Sequence, residues 1–552
     1  MKSVAASVRQ QTRQTPDGFA TLPDVHEIRE PGNAGLRRKR STPGASRCRH
    51  ADIHPSLPGK VACVTRCHEH HPRFFAIAQP MTPDNPVAEV QRLVQCGAID
   101  EARRLLESLS DTDGASAQYF HACAQFHYLL GEFEEAVDRC LTVTQRAPGY
   151  ANHRLIFFHA SAHLGRIDLI DAQFDALVQG LDEWDRQRVL LEALYISGRD
   201  DEVIARSASY QAAHEAGTIP HATAIQLRKS RSTSLMRAHG ISAGIGEYAS
   251  SFTSRPAVSE VYGVNDPGYW CGDTPLPRVL RYVRGGGFGD WVQFLRYRAL
   301  LAQVGTELVC HEPWPCPDVN PAWLNDYRDV GAGDLLKPLV GNAPLDEMWA
   351  TPFSLFTAMF PLAGYLPAQR AMVESAPSPE LAEQVERIRR AARGRPCCAL
   401  FWSSNESAHG DFAWKSLRLQ QIRPLLENQD IHWIVFQRGL EMQRWLADDL
   451  SQTATNIDST TDLHSLAVLL SAAADLVISI DSGPLHLAAS LNLPTILLSP
   501  LHGDWRYERL PTSTPWYPGV RIVRQPAIGA WDATVADAQW VLDGWCRTGR
   551  FA

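Results

Sequence analysis

Four short stretches combine residue types that do chemistry. In the first, the apolar run Val477-Ile478-Ser479-Ile480 stops at Asp481-Ser482-Gly483-Pro484, and His486 follows two positions later. A strand feeding a helix through such a corner leaves free amides and the positive dipole end of the helix facing outward, a natural seat for a diphosphate. The same residues also make a plain helix start, with Asp or Ser as the cap and Pro484 at the first helical position. His486 on that first turn either touches a ligand or packs. The second stretch is "RYVRGGGFGDWVQF", in which Gly285, Gly286, Gly287 and Gly289 surround Phe288 and Asp290 opens a helix. Glycines there let a ligand approach the backbone, with Gly287 and Gly289 nearest the helix. Asp290 is either an N-cap or a general base facing a cleft. The glycines do not complete a dinucleotide fingerprint, which disfavours a nicotinamide-dependent dehydrogenase. In the third, Ser403, Ser404 and Asn405 end a strand and Lys415 follows in a polar loop. Lys415 is a point charge for a phosphate or a solvated surface lysine. The fourth is "WIVFQRG", ending in Gln437, Arg438 and Gly439.

These stretches need strands that end together. From about residue 278, strand patterns ("RVLRYV", "TELVCHE", "PCCALFWSS", "IHWIVFQRG", "DLVISID", "PTILLSP") alternate with helical ones. Alternation of this kind predicts parallel sheets covered by helices. It divides into two Rossmann-like blocks, 278–380 and 385–552, facing a cleft. Ligands in such sheets bind at the carboxyl ends of the strands, where all four stretches fall. A single helix is expected over "GDWVQFLRYRALLAQVG", and a Pro- and Gly-containing link over 255–277.

Before the link, residues 81–255 read as helical repeats. "GAIDEA", "GEFEEA", "GRIDLI" and "GRDDEV" begin at Gly97, Gly131, Gly165 and Gly198, at intervals of 34, 34 and 33 residues. A glycine in the turn and a small or aliphatic residue five positions later are a tetratricopeptide signature, and Pro148 follows the second helix of the best copy. Stacked repeats offer an extended surface for a protein partner or a polymeric substrate.

The net charge of −8 argues against a general nucleic-acid binder. No apolar run is long enough to span a bilayer, no secretory signal pattern opens the chain, and twelve scattered cysteines form no disulfide framework, so the expected location is the cytoplasm. Residues 1–80, rich in Arg, Pro, Gly and Ser, read as a disordered extension, and Met81 has the look of an alternative start. Cys63, Cys67, His68, His70 and His71 match no standard zinc spacing, so no metal site is assigned.

"VISIDSGPLHLAASLNLPTILLSP", with "RGGGFGDWVQFLRY" ahead of it and "GDWRYERLPTSTPWYPGVRIVRQP" behind, resembles glycosyltransferase family 9, which includes the lipopolysaccharide heptosyltransferases. Over 85–552 the chain is similar to bacterial proteins that join tetratricopeptide repeats to such a module. The resemblance implies a GT-B fold: an acceptor Rossmann-like domain, then a donor one, after the all-α repeat domain. It implies inverting, metal-independent transfer from a nucleotide-sugar to a glycan, lipid-linked or protein acceptor, with no cofactor. By position, it implies that Asp290 is the base. It also places Lys415, Gln437, Asp481, Ser482, Gly483 and His486 on the donor, and Ser403 and Pro484 join them by position at a strand end and a helix start. The chain departs from the repeat-bearing relatives at Ser403-Ser404-Asn405-Glu406, at Lys415 and at Gly285-Gly286. The alternative is a non-catalytic repeat scaffold with a degenerate transferase module.

Overall fold

The computed structural model describes residues 86–95, 98–113, 116–150, 152–219, 221–250, 268–282, 287–310, 346–364, 366–367, 377–404, 415–457, 463–507 and 510–551. The N-terminal extension, the Cys63–His71 cluster, Met81, Gly97, Gly285, Gly286 and Asn405 lie outside the described residues.

The N-terminal half is helical: α1 (Pro86–Gln95), α2 (Ile99–Asp113), α3 (Ala117–Leu130), α4 (Phe133–Arg146), α5 (Arg154–His163), α6 (Ile167–Val178), α7 (Glu183–Ile196), α8 (Asp200–Glu215), α9 (His221–His239) and α10 (Ile241–Ser250). Three hairpins, α3/α4, α5/α6 and α7/α8, turn at Gly131, Gly165 and Gly198, whose φ values are +76°, +71° and +70°. A side chain is strained in that region, which is why glycine recurs there. The same two bonds close each turn. The glycine amide donates to the carbonyl three residues back, at 3.0 Å in every copy. The next amide donates five residues back: Glu132 to His127, Arg166 to Ser161 and Arg199 to Leu194, at 2.8, 2.8 and 2.9 Å. This is a Schellman ending, and it satisfies the last carbonyls of the first helix while reversing the chain. The residue five after each glycine, Ala102, Ala136, Ile170 or Val203, is buried between helices.

The turn glycines also face the second half of the chain. A Cβ on Gly131 would lie 2.9 Å from Arg418 Nε, and one on Gly165 would lie 2.7 Å from the Ile528 carbonyl. One on Gly198 would overlap the His502 ring. Around these points Arg418 lies 4.7 Å over the Phe133 ring, Arg444 donates to the Leu130 carbonyl at 3.2 Å, and Arg237 donates to Gly503 O at 3.3 Å. The turn edge of the array is therefore packed against the segments after β4, β8 and β9, strands described next.

The first α/β unit has β1 (Val279–Tyr282), β2 (Glu307–Cys310) and β3 (Glu347–Ala350), all parallel, in the order β2-β1-β3 among the described residues. Part of the expected link belongs to this unit: Trp270 N–H donates to Trp349 O at 2.7 Å, Trp349 N–H donates to Gly268 O at 2.8 Å, and Tyr269, Trp270 and Cys271 are buried. The single helix expected after β1 is broken into Phe288–Phe294, a 3₁₀ turn Leu295–Tyr297 and Arg298–Gln303. At the break, buried Arg296 turns back to the Gln293 carbonyl at 2.8 Å and reaches Trp516 O at 3.1 Å.

The second unit is one parallel sheet of β4 (Cys397–Phe401), β5 (His432–Val435), β6 (Thr455–Asn456), β7 (Leu476–Ile480), β8 (Thr495–Ser499) and β9 (Val520–Arg524), in the order β6-β5-β4-β7-β8-β9. Every residue of β4, β5, β7 and β8 is buried. That explains their unbroken apolar runs, since helices cover both faces. The two α/β units behind a helical array form the GT-B arrangement. Among the described residues no helix is long and apolar enough to cross a membrane.

Gly198→Ala is expected to lower the melting temperature, through a backbone term of about 1–2 kcal/mol and overlap with His502. Adding His502→Ala should recover part of the loss. No recovery in calorimetry would contradict this docking.

Candidate functional site

In the second sheet the strands run outward from β4 on one side and from β7 on the other. Chain order therefore reverses between these neighbours, and a doubly wound sheet opens its ligand crevice there. Trp402-Ser403-Ser404 leave the end of β4, and Asp481-Ser482 leave the end of β7. The segment carrying Lys415 is tied to the β4 side. Ser404 N–H donates to Ser416 Oγ at 3.0 Å and Leu417 N–H donates to Trp402 O at 2.8 Å. Gln437, at the end of β5, is buried and uses both ends of its amide on the β4 exit. Its Oε1 accepts from Trp402 N–H at 3.2 Å and its Nε2 donates to Ser403 O at 2.6 Å. It shapes that exit from one strand away.

The Gly483–Ser490 helix begins without a side-chain cap. Ser482 pairs with Ser479 Oγ at 3.3 Å instead of with the helix amides. Asp481, the other expected cap, accepts from the Tyr507 hydroxyl at 2.6 Å and lies 3.7 Å from His486 Nε2. Pro484 stands at the second helical position, one later than expected, because the helix already begins at Gly483. Burial pushes the Asp481 pKa up. The charge of Lys415, His486 and the Tyr507 hydroxyl outweigh that and hold it well below its ordinary value. Lys415 therefore acts across the crevice on the β7 corner. His486 is buried, and its Nδ1 pairs with the Tyr517 hydroxyl at 3.0 Å. Both ring nitrogens thus face protein groups, so His486 packs and orients Asp481.

The helix start at Gly287 comes to the same place from the first sheet, where β1 lies between β2 and β3 and is again the strand beside which chain order reverses among the described residues. Gly287 caps the Phe288–Phe294 helix with its backbone, and Asp290 Oδ2 accepts the Gly287 N–H at 2.8 Å. The Asp290 side chain remains 20% exposed. Its Oδ1 accepts from Gln293 Nε2 at 3.2 Å and from Arg506 Nη2. Asp290 is therefore not the N-cap but the third residue of the helix, from which it accepts the N-cap amide while its carboxylate faces the junction. The two helix starts meet closely. A Cβ on Gly289 would overlap the His486 ring, and one on Gly483 would lie 2.7 Å from Phe288 Cδ1.

Arg506 and Tyr507, in the 3₁₀ turn Trp505–Tyr507, are site residues that motif reasoning quoted but did not assign. No local pattern marks them, because their partners are far away in sequence. Among the described residues no group of three or more His, Cys, Asp or Glu side chains is placed to hold a metal ion.

The fold is that of a GT-B module. Residues 426–529, from the helix before β5 to just past β9, match glycosyltransferase family 9 (heptosyltransferase), so the chain carries a domain of that family. Among solved structures, it is similar to a family 9 glycosyl transferase from Veillonella parvula DSM 2008, with 11% identity and a TM-score of 0.30, covering 50% of this chain and 99% of that one. It is also similar to a mutant O-GlcNAc transferase from Thermobaculum terrenum, with 12% identity and a TM-score of 0.28, covering 84% and 92% respectively. Comparison with curated proteins gives no match.

Asp481 has a depressed pKa, so its ionised form adds stability above the ordinary Asp value of 3.8, and this is lost as pH falls below it. Asp481→Asn should therefore be less stable than the parent by an amount that is constant above about pH 5 and shrinks toward pH 2. A gap that does not change with pH in thermal melts would remove this carboxylate from the network.

Proposed function

We propose that this protein transfers a sugar from a nucleotide-sugar to an acceptor hydroxyl by single displacement, with inversion and without a metal or other cofactor. The observation that carries the reading is the uncapped start of the Gly483–Ser490 helix at the strand-order reversal, with Lys415 acting across the crevice. Backbone amides and a lysine there would take the charge that develops on the leaving diphosphate, the work a metal does elsewhere. Asp290 accepts the proton of the acceptor hydroxyl. That oxygen bonds to the anomeric carbon from the side opposite the diphosphate as the sugar–phosphate bond breaks. Support for Asp290 comes from its place on the facing helix start, with its carboxylate partly exposed. The acceptor is a glycan, a lipid-linked glycan or a protein, and the helical array offers an extended surface to hold it or a protein partner.

Nucleoside diphosphates (UDP, ADP, GDP and CDP in parallel) should raise the melting temperature, and the one that binds best should be seen by calorimetry. Lys415→Ala should weaken its affinity about tenfold, near 1.4 kcal/mol. A scaffold with a degenerate module would give no shift with any of the four. Asp290→Asn should keep that affinity within about twofold and lower transfer at least ~100-fold, the usual scale for losing a general base. Unchanged turnover would end the base assignment.

A further inference from the structure

Two successive residues of one turn hold the two acids of the site. Arg506 Nη2 donates to Asp290 Oδ1 on the first α/β unit, and the Tyr507 hydroxyl donates to Asp481 Oδ1 at the end of β7 at 2.6 Å. The turn is itself held rigidly. Asp504 Oδ1 accepts from Arg506 N–H at 3.0 Å and from Nη1 at 2.8 Å. Arg506 Nε donates to the buried Gln293 at 3.2 Å, and the Arg506 carbonyl accepts from Thr514 Oγ1 at 3.1 Å. Trp505 is buried against Phe356, with ring centroids 5.7 Å apart and planes 23° apart, and against Trp516 at 5.8 Å. The Arg506 guanidinium lies 4.7 Å over the Trp505 ring. Chain that follows the second sheet's β8 is thus wedged into the first unit, and its guanidinium is aimed at Asp290.

We propose that Arg506 is a positioning residue, with Tyr507 its counterpart on the other side, which fixes the Asp290 carboxylate relative to the diphosphate corner and transmits occupancy of that corner to the Phe288–Phe294 helix. The inference rests on the corner being a diphosphate seat. Its chemistry is a two-point brace: a guanidinium anchored on Asp504 holds one carboxylate by a charge-assisted bond, and the hydroxyl of the next residue holds the other. Without Arg506, Asp290 keeps its Gly287 and Gln293 bonds and loses its tie to the second unit.

The experiment uses the full-length protein and hydrogen exchange of peptides covering 287–294, with and without a saturating nucleoside diphosphate chosen from UDP, ADP, GDP and CDP by calorimetry. In the parent protein the diphosphate should slow exchange of this helix at least tenfold. Arg506→Gln should bind the diphosphate within about threefold of the parent yet show less than threefold slowing, and Arg506→Lys should restore part of the effect. Tyr507→Phe, which removes a single hydroxyl, should give the same split and serves if the Arg506→Gln protein does not fold. Undiminished slowing in both Arg506→Gln and Tyr507→Phe would overturn the inference, as would a parent helix that ignores a bound diphosphate. So would variants whose affinity falls in step with the slowing, since that marks a general structural role. If none of the four diphosphates binds the parent, the corner is no diphosphate seat and the inference falls with that reading.

Discussion

Two helix starts from different sheets meet with almost nothing between them, and the rest of the site depends on that approach. Gly289 lies against the His486 ring and Gly483 lies against Phe288. A methyl group at Gly289 or Gly483 would force the helices apart. Because each helix follows the strand beside which its own sheet reverses order, the contact brings two crevices into register. Asp290 arrives from one and Asp481 from the other. The positive ends of the two helices converge, which is unfavourable unless negative charge collects there. Asp290, Asp481 and Asp504 supply it, and Arg506, paired with Asp290 and Asp504, offsets part of that negative charge.

The half of this contributed by the second sheet was readable from sequence for a simple reason. Strands covered on both faces must be apolar throughout, so β4, β5, β7 and β8 stand out as unbroken runs, and the polar residue that ends each run marks the crevice. The signal fades at the sheet edges. β9 has two partly exposed positions among five, and β6 is two residues long, so neither reads as a strand on its own. β3 hides in an irregular stretch, because its pairing is settled by β1 and by the Tyr269 bridge to Trp349, not by its own pattern. The break at Leu295–Tyr297 depends on Arg296 finding distant carbonyls at Pro367 and Trp516.

The site residues divide in the same way. Asp481, Ser482, Gly483 and Lys415 are marked by position after strands, and the structure gathers them at one crevice. Local rules failed over which residue caps the helix. Asx and Ser residues cap helices when nothing better is offered, but here a tyrosine 26 residues away offers Asp481 a hydroxyl. Arg506 is 216 residues from Asp290, a separation at which spacing carries no information about contact. Gln437 was legible as a polar strand end, but not as a clamp on the neighbouring strand's backbone.

The helical array ties its turns to the same body. In most arrays of this kind each unit touches only its neighbours, so units can be gained or lost with little consequence elsewhere. Here Gly131 faces Arg418, Gly165 faces Ile528 and Gly198 faces His502. The interval of 33 or 34 residues thus matches a second ruler, the spacing of three fixed points on the catalytic module. An extra hairpin between any two of these glycines would have no counterpart to meet and would push the next one off its own, so the spacing of these three turns is set by the α/β body they face.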